Sequence, residues 1–210
     1  MVVYKSYAAS EYEQAAQTAA QYLEDAGIFE SVTLNGTTIT CTRGGETVAA
    51  FAYSNGQVNI TFGPYTLVIG DQQRLWIGKA TNGVLLNSTN QWIQGGNAIY
   101  TLAICKSTGG VPMLIYRQPT NQAGQPGSYL ALTCDAPSAP SISTAPEVTT
   151  NAFYSNLAGI CTVSTAETVA AADRVYQYME RQNSIALNSI GEFTFAETSY
   201  MTDGWIAIKD

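Results

Sequence analysis

The hydrophobic pattern changes period near residue 28. Upstream of it, Tyr12, Ala15, Ala16, Ala19, Leu23 and Ala26 recur at helical spacing, and Gln14, Gln17, Gln21 and Glu24 fall on the other side. Ser10 and Glu13 have the Ser-x-x-Glu spacing of a capping box, and Gly27 suits a helix stop. The pattern predicts an amphipathic helix over about 10–27, with an alanine-lined face that permits close approach to a sheet. Downstream the period becomes two. Val32 and Leu34 lead to Asn35-Gly36, then Ile39 and Cys41; Phe51 and Tyr53 lead to Asn55-Gly56, then Val58, Ile60 and Phe62. Leu75 and Ile77 precede Asn82-Gly83, and Phe193 and Phe195 precede Asp203-Gly204. Asx-Gly pairs tolerate the positive φ of tight hairpin turns, so these four sites predict antiparallel hairpins.

Further strands are expected at Ala98 to Lys106, Pro112 to Arg117 and Ser128 to Cys134, the first two joined across Gly109-Gly110. Val169, Ala172, Val175, Tyr176 and Met179 fit a second helix over about 165–182, opened by Ser164 and Glu167, although Val175 to Met179 also suits a strand. The fold class is therefore α+β: β-dominated antiparallel sheets with an N-terminal helix. Residues 136–150 are rich in Pro, Ser and Thr. They read as a long loop within one domain spanning 1–210; the alternative is a linker between 1–135 and 151–210.

The C-terminal residues carry a resemblance. Ser189-Ile190-Gly191-Glu192-Phe193-Thr194-Phe195, then Tyr200 to Asp210 with an aromatic just after the Asp203-Gly204 turn, resembles the endings of virion proteins encoded by prophages of Gram-positive bacteria. Asn151-Ala152-Phe153-Tyr154 fits the same pattern. The resemblance covers about the last 60 residues. It implies a tail- or baseplate-type structural protein that forms oligomers, contacts other particle proteins and can touch a host surface through a cell-surface glycan.

Composition sharpens this picture. Only 12% of residues are charged, about half the usual share, while Thr (24), Ser (15), Gln (13) and Asn (12) are abundant. Such a surface suits subunit contacts, because burying charge is costly and burying neutral polar groups less so. A homo-oligomer is expected. Nine basic residues, scattered singly in a chain of net charge -7, make no phosphate-binding patch, so nucleic acid is not an expected partner. No apolar run approaches the length of a membrane helix. Met1 to Lys5 shows no signal-peptide pattern, which predicts synthesis in the cytoplasm, and the C-terminal resemblance implies a place in a virion or phage-like particle.

Chemistry is scarce. With no histidine, Ser-His and Cys-His nucleophile pairs are excluded. Cys41, Cys105, Cys134 and Cys161 match no metal spacing and read as small buried hydrophobes. Glu192 and Glu197, five positions apart, point to opposite faces of an ideal strand and make a poor acid pair. No catalytic residue, metal site or cofactor is assigned, and the chain is not read as an enzyme; a small hydrolase is the remote alternative. The remaining alternative is a carbohydrate-binding or adhesin module. Trp76, Trp92 and Trp205 are candidate ligand or interface residues, together with Gln94 and Asn97, whose neutral amides flank Trp92 as sugar recognition requires.

Overall fold

The computed structural model describes residues 1–69, 74–88, 101–106, 110–118, 128–134, 141–143, 157–159, 162–164, 168–170, 175–178, 189–195, 197–203 and 206–210. In chain order, β1 (Val3–Ala8) leads through a single 3-10 turn (Ala9–Glu11) into α1 (Tyr12–Asp25). A meander follows: β2 (Ser31–Asn35), β3 (Thr38–Arg43), β4 (Glu46–Ser54), β5 (Gln57–Phe62) and β6 (Tyr65–Ile69). Then come β7 (Arg74–Ala80), β8 (Gly83–Ser88), β9 (Thr101–Lys106), β10 (Pro112–Gln118) and β11 (Ser128–Thr133). The short strands β12 (Ser141–Ser143), β13 (Leu157–Gly159), β14 (Thr162–Ser164) and β15 (Thr168–Ala170) precede β16 (Val175–Tyr178). The last are β17 (Gly191–Phe195), β18 (Thr198–Thr202) and β19 (Ile206–Lys209). The protein is thus α+β and β-dominated, with one N-terminal helix among the described residues.

All strand pairs are antiparallel. The central sheet runs β1-β7-β8-β9-β10-β11, the meander runs β2 to β6 in order, and the C-terminal sheet runs β13-β16-β19-β18-β17; β12, β14 and β15 form a small fourth sheet. The central sheet is buried on both faces. Leu75, Ile77, Val84, Leu86, Leu102, Ile104 and Leu114 share a core with α1 and the meander. Their neighbours Leu85, Ala103, Cys105, Met113 and Ile115 pack instead with Ile190, Met201, Ile206 and Ile208 of the C-terminal region. This explains why β9 reads Leu-Ala-Ile-Cys without alternation: a strand covered on both sides has no solvent face to mark with polar residues. At about 1.5–3 kcal/mol for each large side chain buried, the two cores supply most of the cohesion between layers.

The helix forms where expected, but its entry differs. Glu11 Oε2 accepts the Ala8 N–H at 2.6 Å, so Glu11, rather than the Ser10–Glu13 pair, secures the first turn. Gly27, at φ 59°, ends the helix as predicted. Ala15, Ala16, Ala19, Tyr22 and Leu23 are buried, and α1 packs against β1, β2, β4 and β7. Lys79 on β7 pairs with Asp25 at 2.7 Å and lies over the Tyr22 ring at 5.9 Å, tying the helix end to the central sheet.

The hairpins exist, yet the Asx-Gly pairs play different parts in them. Asn55-Gly56 does occupy the two central turn positions, with Gly56 at φ 75°. At the first hairpin Asn35 pairs with Thr38, so the turn is Gly36-Thr37 with Gly36 at φ 60°. At the third, Ala80 pairs with Gly83; the turn is Thr81-Asn82, and Gly83 is a strand residue. Its reason for being glycine is space: a Cβ there would lie 2.6 Å from the Ile104 carbonyl oxygen.

The expectation of a second helix over 165–182 is overturned where that range is described. Thr168–Ala170 pairs with β14, and Val175–Tyr178 lies between β13 and β19. Val and Tyr favour the extended backbone, and here the sheet supplies partners for it. Of the Pro/Ser/Thr-rich stretch, Ser141–Ser143 pairs with β14; the rest of 136–150 lies outside the described residues. No described helix is long and apolar enough to cross a membrane.

Candidate functional site

The most chemically distinctive place is a buried polar cluster between the central and C-terminal sheets. Cross-strand register sets it up: Trp76 on β7 lies opposite Asn87 on β8, which lies opposite Thr101 on β9. The three therefore share one face, the one covered by the C-terminal strands. Asp203, just past β18, is 2% exposed and reaches into this row. Asn87 Nδ2 donates to Asp203 Oδ2 at 2.9 Å and to Thr101 Oγ1 at 3.0 Å. The Thr101 hydroxyl also donates to Asp203 Oδ2. The other carboxylate oxygen accepts the Ile206 N–H at 2.9 Å, and Thr202 Oγ1 donates to the Ile206 carbonyl at 2.6 Å. A carboxylate removed from water thus finds at least three donors on two sheets, which is what buried charge requires.

Two polar atoms in the same row remain without a partner among the described residues: Trp76 Nε1, a donor, and Asn87 Oδ1, an acceptor. Asn87 cannot serve them by turning its amide, because its NH2 is held by Asp203. Outward from this row, the Tyr4 ring lies 6.2 Å from that of Trp76, and Tyr4 is 43% exposed. The corner therefore sets an exposed tyrosine ring against a half-buried tryptophan, with the two unpaired polar atoms buried beneath them.

Of the residues singled out from the sequence, Trp76 lies in this cluster, half-buried. Trp92, Gln94, Asn97 and Trp205 lie outside the described residues. In the chain, 89–100 joins the Asn87 end of β8 to Thr101 of β9, and Trp205 follows Asp203 by two positions. Asn87, Thr101 and Asp203 were missed. The available signal was a lone Asn ending the apolar run Val84-Leu85-Leu86, and a lone Thr opening Leu102-Ala103-Ile104-Cys105. In the sequence the Asp203-Gly204 pair signals only a turn.

The other described chemistry is structural. Cys41, Cys105 and Cys134 are buried, and burial pushes the Cys41 thiol up to about 12. Burial, reinforced by nearby Cys41, raises the Tyr53 phenol far above its ordinary range. The Tyr53 hydroxyl has no partner among the described residues. Tyr53 lines, with Tyr12, Ala15 and Leu75, a small groove that has room for about one water. No group of three or more potential metal ligands occurs among the described residues.

The outward face of the meander is of another kind. Thr33, Thr40, Ala50, Thr61 and Thr66 form one row across its five strands. Thr38 and Thr42 flank this row on β3. A bulge at Cys41/Thr42 turns Val48 toward the core, which leaves Thr47 with the outward set. The only charged side chains in β2 to β6 are Arg43 and Glu46, beside the Gly44-Gly45 turn. No known protein family, characterised protein or solved structure matches this chain.

Proposed function

We propose that the protein is a non-enzymatic structural or attachment component of a phage-like particle, acting through contacts with copies of itself and with other particle proteins. The observation that carries this reading is the outward face of the meander: seven threonines on five strands, with charge confined to one turn. A partner that covers this face strips water from hydroxyls, which can re-pair, rather than from ions, whose desolvation is far costlier. The Asn87–Thr101–Asp203 cluster supports the same reading, since its carboxylate is engaged by fixed intramolecular donors that join two sheets. The C-terminal resemblance to prophage virion proteins adds the setting.

Mass spectrometry of particles purified from lysates of the encoding cell tests the proposal. Recovery of this chain together with capsid and tail proteins is the expected result, and particles that lack it overturn the reading.

A second reading, a carbohydrate-binding module, draws on the exposed Tyr4 ring beside the half-buried Trp76. Sugar rings stack on aromatic faces, and their hydroxyls both donate and accept. Glycan-array binding that disappears with Tyr4→Ala favours this reading over the first; an array with no binding removes it.

A further inference from the structure

We infer that β2, one of the two outer strands of the meander, is a self-association surface through which two copies join their sheets across a two-fold axis. This rests on the assembly reading for its biological use, but its geometry stands on β2 alone. In the meander β2 is an outer strand, and among the described residues it is hydrogen-bonded only to β3. Ser31, Thr33, Leu34 and Asn35 are exposed, and Leu34 is 38% exposed despite being apolar.

The direction of the backbone groups follows from the register. The Tyr53 N–H donates to the Thr37 carbonyl at 3.0 Å, which commits Ile39 to β4 and leaves Thr38 and Thr40 to bond β2. The two-residue turn Gly36-Thr37 closes on the pair Asn35–Thr38, so Asn35 and Thr33 turn their groups inward. Val32 and Leu34 are left with N–H and C=O directed out of the sheet. An edge of this kind templates another strand unless charge, proline or a bulge blocks it. Ser31–Asn35 contains no charged residue and no proline, and its pairing with β3 is regular.

The sequence of β2 selects a second copy as the occupant. Laid antiparallel on itself about Thr33, it matches Val32 with Leu34 of the second copy, Ser31 with Asn35, and Thr33 with Thr33. Apolar meets apolar and hydroxyl meets hydroxyl, the pairings that stabilise antiparallel sheets. In this register Val32 and Leu34 of each copy exchange both backbone bonds, and the two Thr33 residues form the close, non-hydrogen-bonded pair, with Cα atoms about 4.5 Å apart. The row of Thr33, Thr40, Ala50, Thr61 and Thr66 then continues through the axis into the second copy.

That separation suits a disulfide. We therefore predict that Thr33→Cys, oxidised with glutathione disulfide, converts the full chain to a covalent dimer, whereas Thr61→Cys, exposed on the same face but three strands inward, does not. Leu34→Pro removes only an outward N–H, a change an edge strand tolerates. Sedimentation should show it monomeric at concentrations where the wild type is dimeric or larger. If the wild type associates but Thr33→Cys fails to crosslink, the β2 edge is refuted while the assembly reading survives. A wild type that stays monomeric at high micromolar concentration refutes both. Should Leu34→Pro not fold, the cysteine pair decides alone.

Discussion

Asp203→Ala is the perturbation whose cost the structure defines most closely. The carboxylate takes donors from Asn87, Thr101 and the Ile206 backbone, and all of these atoms are buried. Truncation leaves Asn87 Nδ2 a partial substitute in Thr101 Oγ1, but strips the Ile206 N–H and the Thr101 hydroxyl outright. Each orphaned buried donor costs about 1–3 kcal/mol. Removing a buried charge gives some of this back, since its own desolvation is no longer incurred. The expected net loss is about 3 kcal/mol, measured by urea unfolding followed by both circular dichroism and tryptophan fluorescence, with an unchanged slope. Thr101→Val should cost about 2 kcal/mol, because it removes a hydrogen bond to a charged acceptor. The double variant should be less destabilised than the sum of the two by at least about 1 kcal/mol, the mark of one shared network. Strict additivity, or a loss for Asp203→Ala below about 0.5 kcal/mol, would refute the claim that this cluster fastens the C-terminal sheet to the central one.

Gly83→Ala should destabilise by about 2–3 kcal/mol, because its Cβ would meet the Ile104 carbonyl oxygen at 2.6 Å; an unchanged melting temperature contradicts this. Gly63→Ala should be at least as harmful, since Gly63 combines φ 53° with a Cβ site 2.5 Å from the Cys134 carbonyl oxygen. For Asp210, burial alone would raise the carboxyl, but the Met1 amino group and the Thr81 N–H and hydroxyl outweigh it and hold the group below its usual range. Its folded value is thus depressed, so its contribution is present above the unfolded value of about 4 and is lost as pH falls through the folded one. The stability gap between wild type and Asp210→Asn should therefore narrow as pH drops below about 4, and a gap that does not narrow counts against the tie. In a Cys161→Ser variant, a thiol reagent should find no reactive cysteine until denaturant is added.

Much of the β architecture was legible because strands such as β5 alternate strictly: Val58, Ile60 and Phe62 face in, while Gln57, Asn59 and Thr61 face out. The helix was equally plain from its alanine stripe. Less legible was anything set by residues far apart in the chain. Strand β1 carries little pattern of its own and forms because Val3–Ala8 finds β7 some seventy residues away. The role of Gly83 was misread for the same reason, since a close approach to Ile104 leaves no trace in the local dipeptide. At Val175–Tyr178 helical spacing and β-propensity pointed different ways, and pairing with β19 decided the outcome. The Asn87–Thr101–Asp203 cluster joins positions over a hundred residues apart, which no spacing rule brings together.

Self-association of the full chain, on which the proposed function rests, is open to sedimentation equilibrium of the wild-type protein from low to high micromolar concentration. The expected mass rises to twice that of one chain or a larger multiple; a single-chain mass across the whole range overturns the proposal.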